Sequence, residues 1–253
     1  ARLLEGKANW HYRNVLESFR CFVEVLEVIL GSKHIHELGF LIGKSLGLIG
    51  VVLLDMNQVS LGRQYLTMGL SHLKQLSDEF DDNHLYIGII TSDLVLAHLK
   101  GIEEREPLEP LQKSLGVCRD YIDSSKKIFV GIYGSLPHRY LATIEKHEAR
   151  LLRVRHGANW KKYANHILQR LDNELDLRRR SFKTDKHRTY ARVHNVKASM
   201  YITMGRFDDA LLEAQAALIK VSDLSPKYSS DFSRNPLVKE LLGHMSPTQQ
   251  LKA

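Results

Sequence analysis

Cysteine and proline are both scarce in this chain of 253 residues, and each shortage excludes a class of protein. The two cysteines, Cys21 and Cys118, give no disulfide framework and no paired spacing of the kind that binds zinc. The six prolines fall outside the long periodic segments, as they must if those segments are helices. A disulfide-rich secreted fold is therefore excluded, and we expect a reduced, cytoplasmic setting.

Complete catalytic and cofactor-binding motifs are also lacking. No G-x-S-x-G, P-loop or G-x-G-x-x-G sequence occurs. Two fragments, His34–Glu37 and His147–Glu148, begin like the zinc motif H-E-x-x-H, but Phe40 and Leu151 stand where its second histidine is needed. We therefore predict a protein that is not an enzyme and that uses no cofactor or metal ion.

One apolar run, Leu38–Met56, approaches the length of a membrane span. Its glycines recur at helical spacing, at Gly39, Gly43, Gly47 and Gly50. Lys44 interrupts the run, and its length is at the lower limit for crossing hydrocarbon. Each glycine costs a helix roughly 1 kcal/mol relative to alanine, so close packing must offset them. We predict a buried helix that its neighbours cross closely, and no membrane partner.

Apolar residues recur at helical spacing almost throughout, and no convincing alternating pattern of a strand is present. The pattern predicts helices near 8–30, 35–55, 58–77, 84–100, 107–124, 136–156, 158–178, 186–204, 207–222 and 235–244. Turn residues mark most of the breaks, including Asn57, Gly134, Gly157 and Gly205, with Asp81–Asn83 as a further one. Such short links favour antiparallel neighbours, so we expect paired helices.

A period of about fifty residues is also visible. Ala8-Asn9-Trp10 recurs as Ala158-Asn159-Trp160, and predicted helix openings fall roughly every 48 to 50 residues. Repeats of this size are typical of stacked helical units. We therefore predict an all-α fold: a superhelical array, or α-solenoid, of antiparallel helix pairs over 1–226, with a short C-terminal helix and tail over 227–253.

The segment Lys186–Ser222 resembles a tetratricopeptide repeat. The likeness is carried by Ala198, Tyr201, Gly205, Phe207, Ala210 and Ala217. A second segment, Leu46–Leu70, shows it through Gly50, Asn57, Gly62 and Gly69. Lys197 stands where leucine is usual, and the period exceeds the usual 34 residues, so the likeness is to degenerate arrays with long repeats. The resemblance implies that the first helices of successive pairs line a concave groove.

The positive charge of the chain is concentrated in one segment. The whole chain carries a formal charge of +7, but residues 138–197 hold 16 Lys/Arg against 6 Asp/Glu. A localised block of this kind points to an anionic partner. The arginine triplet Arg178–Arg180 is explained more simply, because cations near a helix C-terminus are favourable with the helix dipole. We expect Arg178 to lie outside the groove.

The candidate ligand-binding residues lie on two of the predicted helices. On the first, cations recur at spacings of seven, four and three, at Arg139, Lys146, Arg150 and Arg153. On the second, a comparable stripe contains Arg188, Arg192 and Asn195. The tetratricopeptide resemblance implies that Asn195 hydrogen-bonds the backbone of a bound peptide and that Arg192 receives an acidic group.

Two functions fit these patterns. The first is an interaction module, the scaffold or sensor domain of a larger protein, that binds an extended or acidic peptide in a basic groove. The alternative is a helical repeat that binds nucleic acid through the same basic segment. The chain begins at Ala1 within helix-forming sequence, and we expect a further domain upstream.

Overall fold

The computed structural model describes residues 2–11, 14–34, 38–76, 81–104, 110–182 and 188–222. The side chains of 11, 81–83, 188 and 220–222 are not part of the description. The helix predicted near 235–244 lies outside the described residues.

The chain divides into two compact units, Ala1–Ser135 and Leu136–Ala253. The first contains α1 (Arg2–His11), α2 (Val15–Leu30), α3 (Gly39–Asp55), α4 (Val59–Gln75), α5 (Asp81–Glu103) and α6 (Leu111–Tyr133). The second contains α7 (Arg139–His156), a 3-10 helix (Gly157–Tyr163), α8 (Ala164–Phe182), α9 (Arg188–Thr203) and α10 (Phe207–Ser222). No strand occurs in the described ranges, so the all-α prediction is confirmed.

Consecutive helices pack in adjacent pairs, as predicted. In the first unit the pairs are α1 with α2, α3 with α4, and α5 with α6; in the second they are α7 with α8, and α9 with α10. Within each unit a pair also packs on the next one, through α2 and α3, α4 and α5, and α8 and α9. Six helices thus pack both on their partner and on the neighbouring pair: α2, α3, α4, α5, α8 and α9.

The predicted repeat period and several predicted helix boundaries differ from those of the structure. The second helices of successive pairs begin 43 (207 − 164) to 53 (164 − 111) residues apart, so the period is irregular. The Ala-Asn-Trp echo does not open equivalent helices, because Trp10 lies near the end of α1 and Trp160 lies in the 3-10 helix. The predicted break at Asp81–Asn83 is wrong, since α5 begins there, and α6 continues to Tyr133.

Helices α3 and α4 approach through glycines on both sides, as the spacing of small residues predicted. A Cβ atom at Gly62 would lie 2.9 Å from the carbonyl oxygen of Gly50. A Cβ at Gly69 would lie 2.8 Å from the carbonyl oxygen of Gly43. Residues early in one helix therefore meet residues late in the other, which makes the pair antiparallel. We call these four residues the glycine contact.

Two turns within pairs need a backbone conformation that most residues avoid. Asn57, between α3 and α4, has φ of 64°, and Gly205, between α9 and α10, has φ of 75°. Asparagine and glycine adopt this left-handed region most readily. Both turns were predicted from these residues.

One segment of the described chain, His84–Glu103 in α5, is long and apolar enough to cross a membrane by length and composition alone. More than half of an 18-residue stretch within this segment, 56 %, is buried inside the protein. Leu94, Val95, Ala97 and Leu99 are fully buried within it. A central core helix shows the same features, so the segment is weak evidence for a membrane span.

Candidate functional site

Charged side chains from three helices of the second unit come together beside its apolar core. That core includes Ile167 and Leu171 of α8 and Val193 of α9. The cations are Lys146 and Arg150 of α7, Arg178 of α8 and Arg192 of α9. Their charges, with that of the Glu174 carboxylate on α8, all act on the Lys146 ammonium. We call the four cations the basic cluster.

Glu174 supplies a buried carboxylate to this cluster. Its residue is 2 % exposed, and its Oε1 accepts hydrogen bonds from Arg178 Nε at 2.8 Å and from Arg178 Nη2 at 2.6 Å. Its Oε2 is buried and has no hydrogen-bond partner among the described residues. Burial raises the pKa of Glu174, although the charges of Arg178, Lys146 and Arg192 oppose that shift. The carboxylate is thus costly to keep ionised despite its arginine.

Lys146 is the cation most affected by its surroundings. Burial, together with the charges of Arg192, Arg178 and Arg150, lowers its pKa from 10.5 to about 8, while Glu174 acts in the opposite direction. The neighbouring His147 is 1 % exposed, and burial together with nearby cations lowers its pKa well below the usual value. Burial disfavours any charge at these positions, and the surrounding cations add a field that disfavours further positive charge.

The structure brings some of the predicted binding residues together and separates others. Lys146, Arg150 and Arg192 meet in the basic cluster. Arg139 is exposed instead, with its guanidinium over the Tyr140 ring at 4.9 Å, and Arg153 is exposed near the end of α7. Neither is among the charges with the largest effect on Lys146.

The second predicted stripe is described only in part. Asn195 is partly buried, and its Oδ1 atom has no hydrogen-bond partner among the described residues. Arg192, one helical turn earlier, is exposed, so the cluster reaches the surface there. Arg188 begins α9, but its side chain lies outside the description.

Arg178, which we expected to lie outside the groove, acts on Lys146 as part of the basic cluster. Arg178 is 8 % exposed and is fixed by its ion pair with Glu174. A signal for both residues was present in the sequence, because Leu171, Glu174, Leu175 and Arg178 follow the i, i+3, i+4, i+7 pattern of one buried stripe. A glutamate and an arginine four apart on that stripe indicate a buried ion pair.

The carboxylates nearest to the α7 cations in sequence serve a different partner. Glu145 and Glu148 both accept from Arg170 of α8, with Nη1 to Oε2 distances of 3.0 and 2.8 Å. They therefore hold α7 and α8 together through Arg170.

A second buried ion-pair group lies between α8, α9 and α10. Lys197, which stands where a leucine was expected, is 7 % exposed, and its ammonium binds Asp172 at 2.8 Å and Glu213 at 2.6 Å. Burial lowers the pKa of Lys197, but these two hydrogen bonds outweigh it and the net pKa is raised. His194 Nδ1 lies 2.6 Å from the other oxygen of Glu213. This group is internally matched and needs no ligand.

One group of residues in the described chain has the spacing of a metal site. The carboxylates of Glu5 and Glu17 and the thiol of Cys21 lie within 4.8 Å of one another. Glu5 pairs with Arg2 at 2.8 Å, and burial raises the pKa of the buried Cys21, which keeps the thiol protonated. A protonated thiol is a poor metal ligand. The histidine fragment at 34–37 lies largely outside the description.

No family model matches the chain, and no curated protein matches it either. Function is therefore inferred from the geometry of the second unit.

The stability of this unit should rise between pH 8 and pH 10. Lys146 has a folded pKa of about 8 and an unfolded value near 10.5, so the unfolded chain binds the proton more tightly in this window. Deprotonation removes the cost of a buried charge and the repulsion by nearby arginines in the folded state, by about 2 kcal/mol once screening of the partly exposed side chain is allowed for. Urea denaturation at pH 7, 8, 9 and 10 measures this. The increase in the free energy of unfolding between pH 8 and pH 10 should be absent in Lys146→Met. It should remain in Lys162→Met, which changes an exposed lysine.

Proposed function

We propose that this chain is a non-enzymatic interaction module whose second unit binds an acidic peptide segment at the basic cluster. The observation that carries the proposal is the state of Lys146. Burial, with three arginines, holds its pKa at about 8, and Glu174 is the carboxylate with the largest effect in favour of the ammonium. A second carboxylate, supplied by a ligand, would restore the balance.

The position of Arg192 supports the same ligand. Arg192 is exposed at the edge of the cluster and offers a planar guanidinium, which matches a carboxylate in two parallel hydrogen bonds. The tetratricopeptide-like sequence pattern supports the same class of function.

Binding of a fluorescein-labelled octaglutamate peptide, measured by fluorescence anisotropy, tests the proposal. Arg192→Glu should weaken binding at least about tenfold, because it places a like charge against the ligand. Folding should be retained, since Arg192 is exposed and the new carboxylate lies near Lys146. A labelled octaglutamine peptide should bind at least about tenfold more weakly than octaglutamate.

Arg155→Glu is the matched control on α7. Arg155 is exposed and nine residues after Lys146, which places it on the opposite side of the helix. It should change peptide affinity less than about twofold. Absence of octaglutamate binding at about 1 mM, a concentration that detects even weak complexes, would overturn the proposal.

The alternative, nucleic-acid binding, predicts a different outcome. Phosphates would follow the exposed cations, so Arg155→Glu and Arg192→Glu would weaken binding of a 20-nucleotide single strand to a similar degree. The logarithm of the affinity would fall steeply with the logarithm of salt concentration. This pattern, with octaglutamate binding absent, would replace the peptide proposal.

A further inference from the structure

A cavity of about 580 Å³ lies in the first unit. It is formed by α4, α5 and α6. Cavities of roughly 300–1,000 Å³ are the usual size for small-molecule sites. The volume therefore suits a compact organic ligand.

The lining of the cavity contains apolar side chains and cationic side chains. Ile87, Ile128 and Ile132 provide apolar surface from α5 and α6. Lys74 at the end of α4 and Lys127 on α6 provide cationic groups, and both are exposed. None of the described side chains that line the cavity is a carboxylate. Its chemistry complements a molecule with an apolar body and a negative head.

Tyr121 adds a hydrogen-bond donor to the same wall. Burial, with a smaller effect from Cys118, raises the pKa of its hydroxyl, so the hydroxyl keeps its proton at neutral pH. Thr91, by contrast, uses its hydroxyl within α5, where it donates to the carbonyl of Ile87 at 2.6 Å. A protonated phenol beside two lysines is a suitable donor set for a carboxylate.

We infer that this cavity binds a medium-chain monocarboxylate, with its alkyl chain against Ile87, Ile128 and Ile132 and its carboxylate towards Lys74, Lys127 and Tyr121. A ligand of this class satisfies both halves of the lining. The site is independent of the acidic-peptide site of the second unit, so either proposal can fail without the other.

Gly131 gives a direct test, because it lines the cavity and a Cβ atom there would meet no atom within 4 Å. Gly131→Leu can therefore fill cavity space without a clash, and leucine is a better helix former than glycine. Gly116 is the matched control on the same helix, since it also faces open space but does not line the cavity. Both variants should fold.

Isothermal titration calorimetry with sodium octanoate measures the affinity. We expect a Kd on the order of 0.1–1 mM for a ligand of this size. Hexanoate should bind about tenfold more weakly, because two buried methylenes are lost. Octan-1-ol should bind about five- to tenfold more weakly than octanoate, and Lys127→Glu should weaken octanoate binding to a similar degree.

Gly131→Leu should abolish octanoate binding, and Gly116→Leu should leave it unchanged. Equal affinity for octanol and octanoate, unchanged binding in Gly131→Leu, or no binding at about 10 mM octanoate would each overturn the inference. Sedimentation of the wild type should show no self-association. If the wild type did self-associate and Gly131→Leu abolished that association, the cavity would be a contact between two copies of the chain, and the ligand assignment would be overturned.

Discussion

Replacing Arg178 by methionine should lower the free energy of unfolding of the second unit by about 3–5 kcal/mol at pH 7. The arginine holds Glu174 through two hydrogen bonds of 2.8 and 2.6 Å. Without them, a carboxylate that is 2 % exposed keeps its burial cost and loses its closest counter-charge. The loss is measured by urea denaturation in a Trp10→Phe background. The fluorescence of Trp160, which packs against this core, then reports on the second unit alone.

The companion variants separate loss of the ion pair from loss of volume. Glu174→Leu combined with Arg178→Met should recover most of the stability, because buried ion pairs replaced by apolar residues are often neutral or stabilising. The cost of Arg178→Met alone should be smaller at pH 5 than at pH 8. Glu174 has a raised folded pKa in the wild type, and removal of the arginine, which opposes that shift, raises it further. The carboxyl of the variant is therefore protonated more readily at pH 5, where it avoids the cost of a buried unpaired charge that it carries at pH 8. A cost below about 1 kcal/mol at pH 8 would contradict this account.

Gly69→Ala should destabilise the first unit by about 2–3 kcal/mol. The added methyl group would lie 2.8 Å from the Gly43 carbonyl oxygen and 3.0 Å from the Gly47 nitrogen. Both are backbone atoms, so α3 and α4 must move apart. This cost exceeds the roughly 1 kcal/mol that alanine gains over glycine in a helix. Trp10 fluorescence reports on this unit in a Trp160→Phe background, because the Trp10 indole donates to Asp55 at 2.7 Å.

Two other glycines provide the comparison. At Gly47 a new Cβ would meet the Cδ1 and Cγ1 atoms of Ile90 at 2.7 and 2.8 Å. Because the isoleucine side chain can rotate away, Gly47→Ala should lower the free energy of unfolding less than Gly69→Ala does. Gly116 meets nothing within 4 Å, and Gly116→Ala should raise stability by up to about 1 kcal/mol. If all three variants had the same stability, close approach of the two helices would not be the reason for the glycines.

The fold was predictable because its signals are local. Apolar residues at helical spacing identify the helices, and the small residues Gly50, Gly62 and Gly69 identify where two of them touch. Asn57 and Gly205 mark turns whose left-handed φ values follow from residue type. The boundaries were less accurate, since the helix predicted to end near 124 continues to Tyr133 with Phe129 still on its buried stripe.

The candidate site was predictable only in part. Helical spacing places Lys146 and Arg150 on one face of α7, but it does not show which partner that face meets. Glu174 and Arg178 come from α8, and only the packing of the helices brings them to Lys146. The same spacing also groups Arg139 and Arg153 with Lys146, although both are exposed. Which charges of a stripe become buried depends on the neighbouring helix.

Lys197 of α9, which lies between α8 and α10, affects how the second unit unfolds. Lys197 binds one carboxylate from each neighbouring helix, and Glu213 of α10 also lies 2.6 Å from His194. Detachment of α10 would break both of these Glu213 contacts at once. The ion-pair group therefore opposes local fraying of α10 from α9.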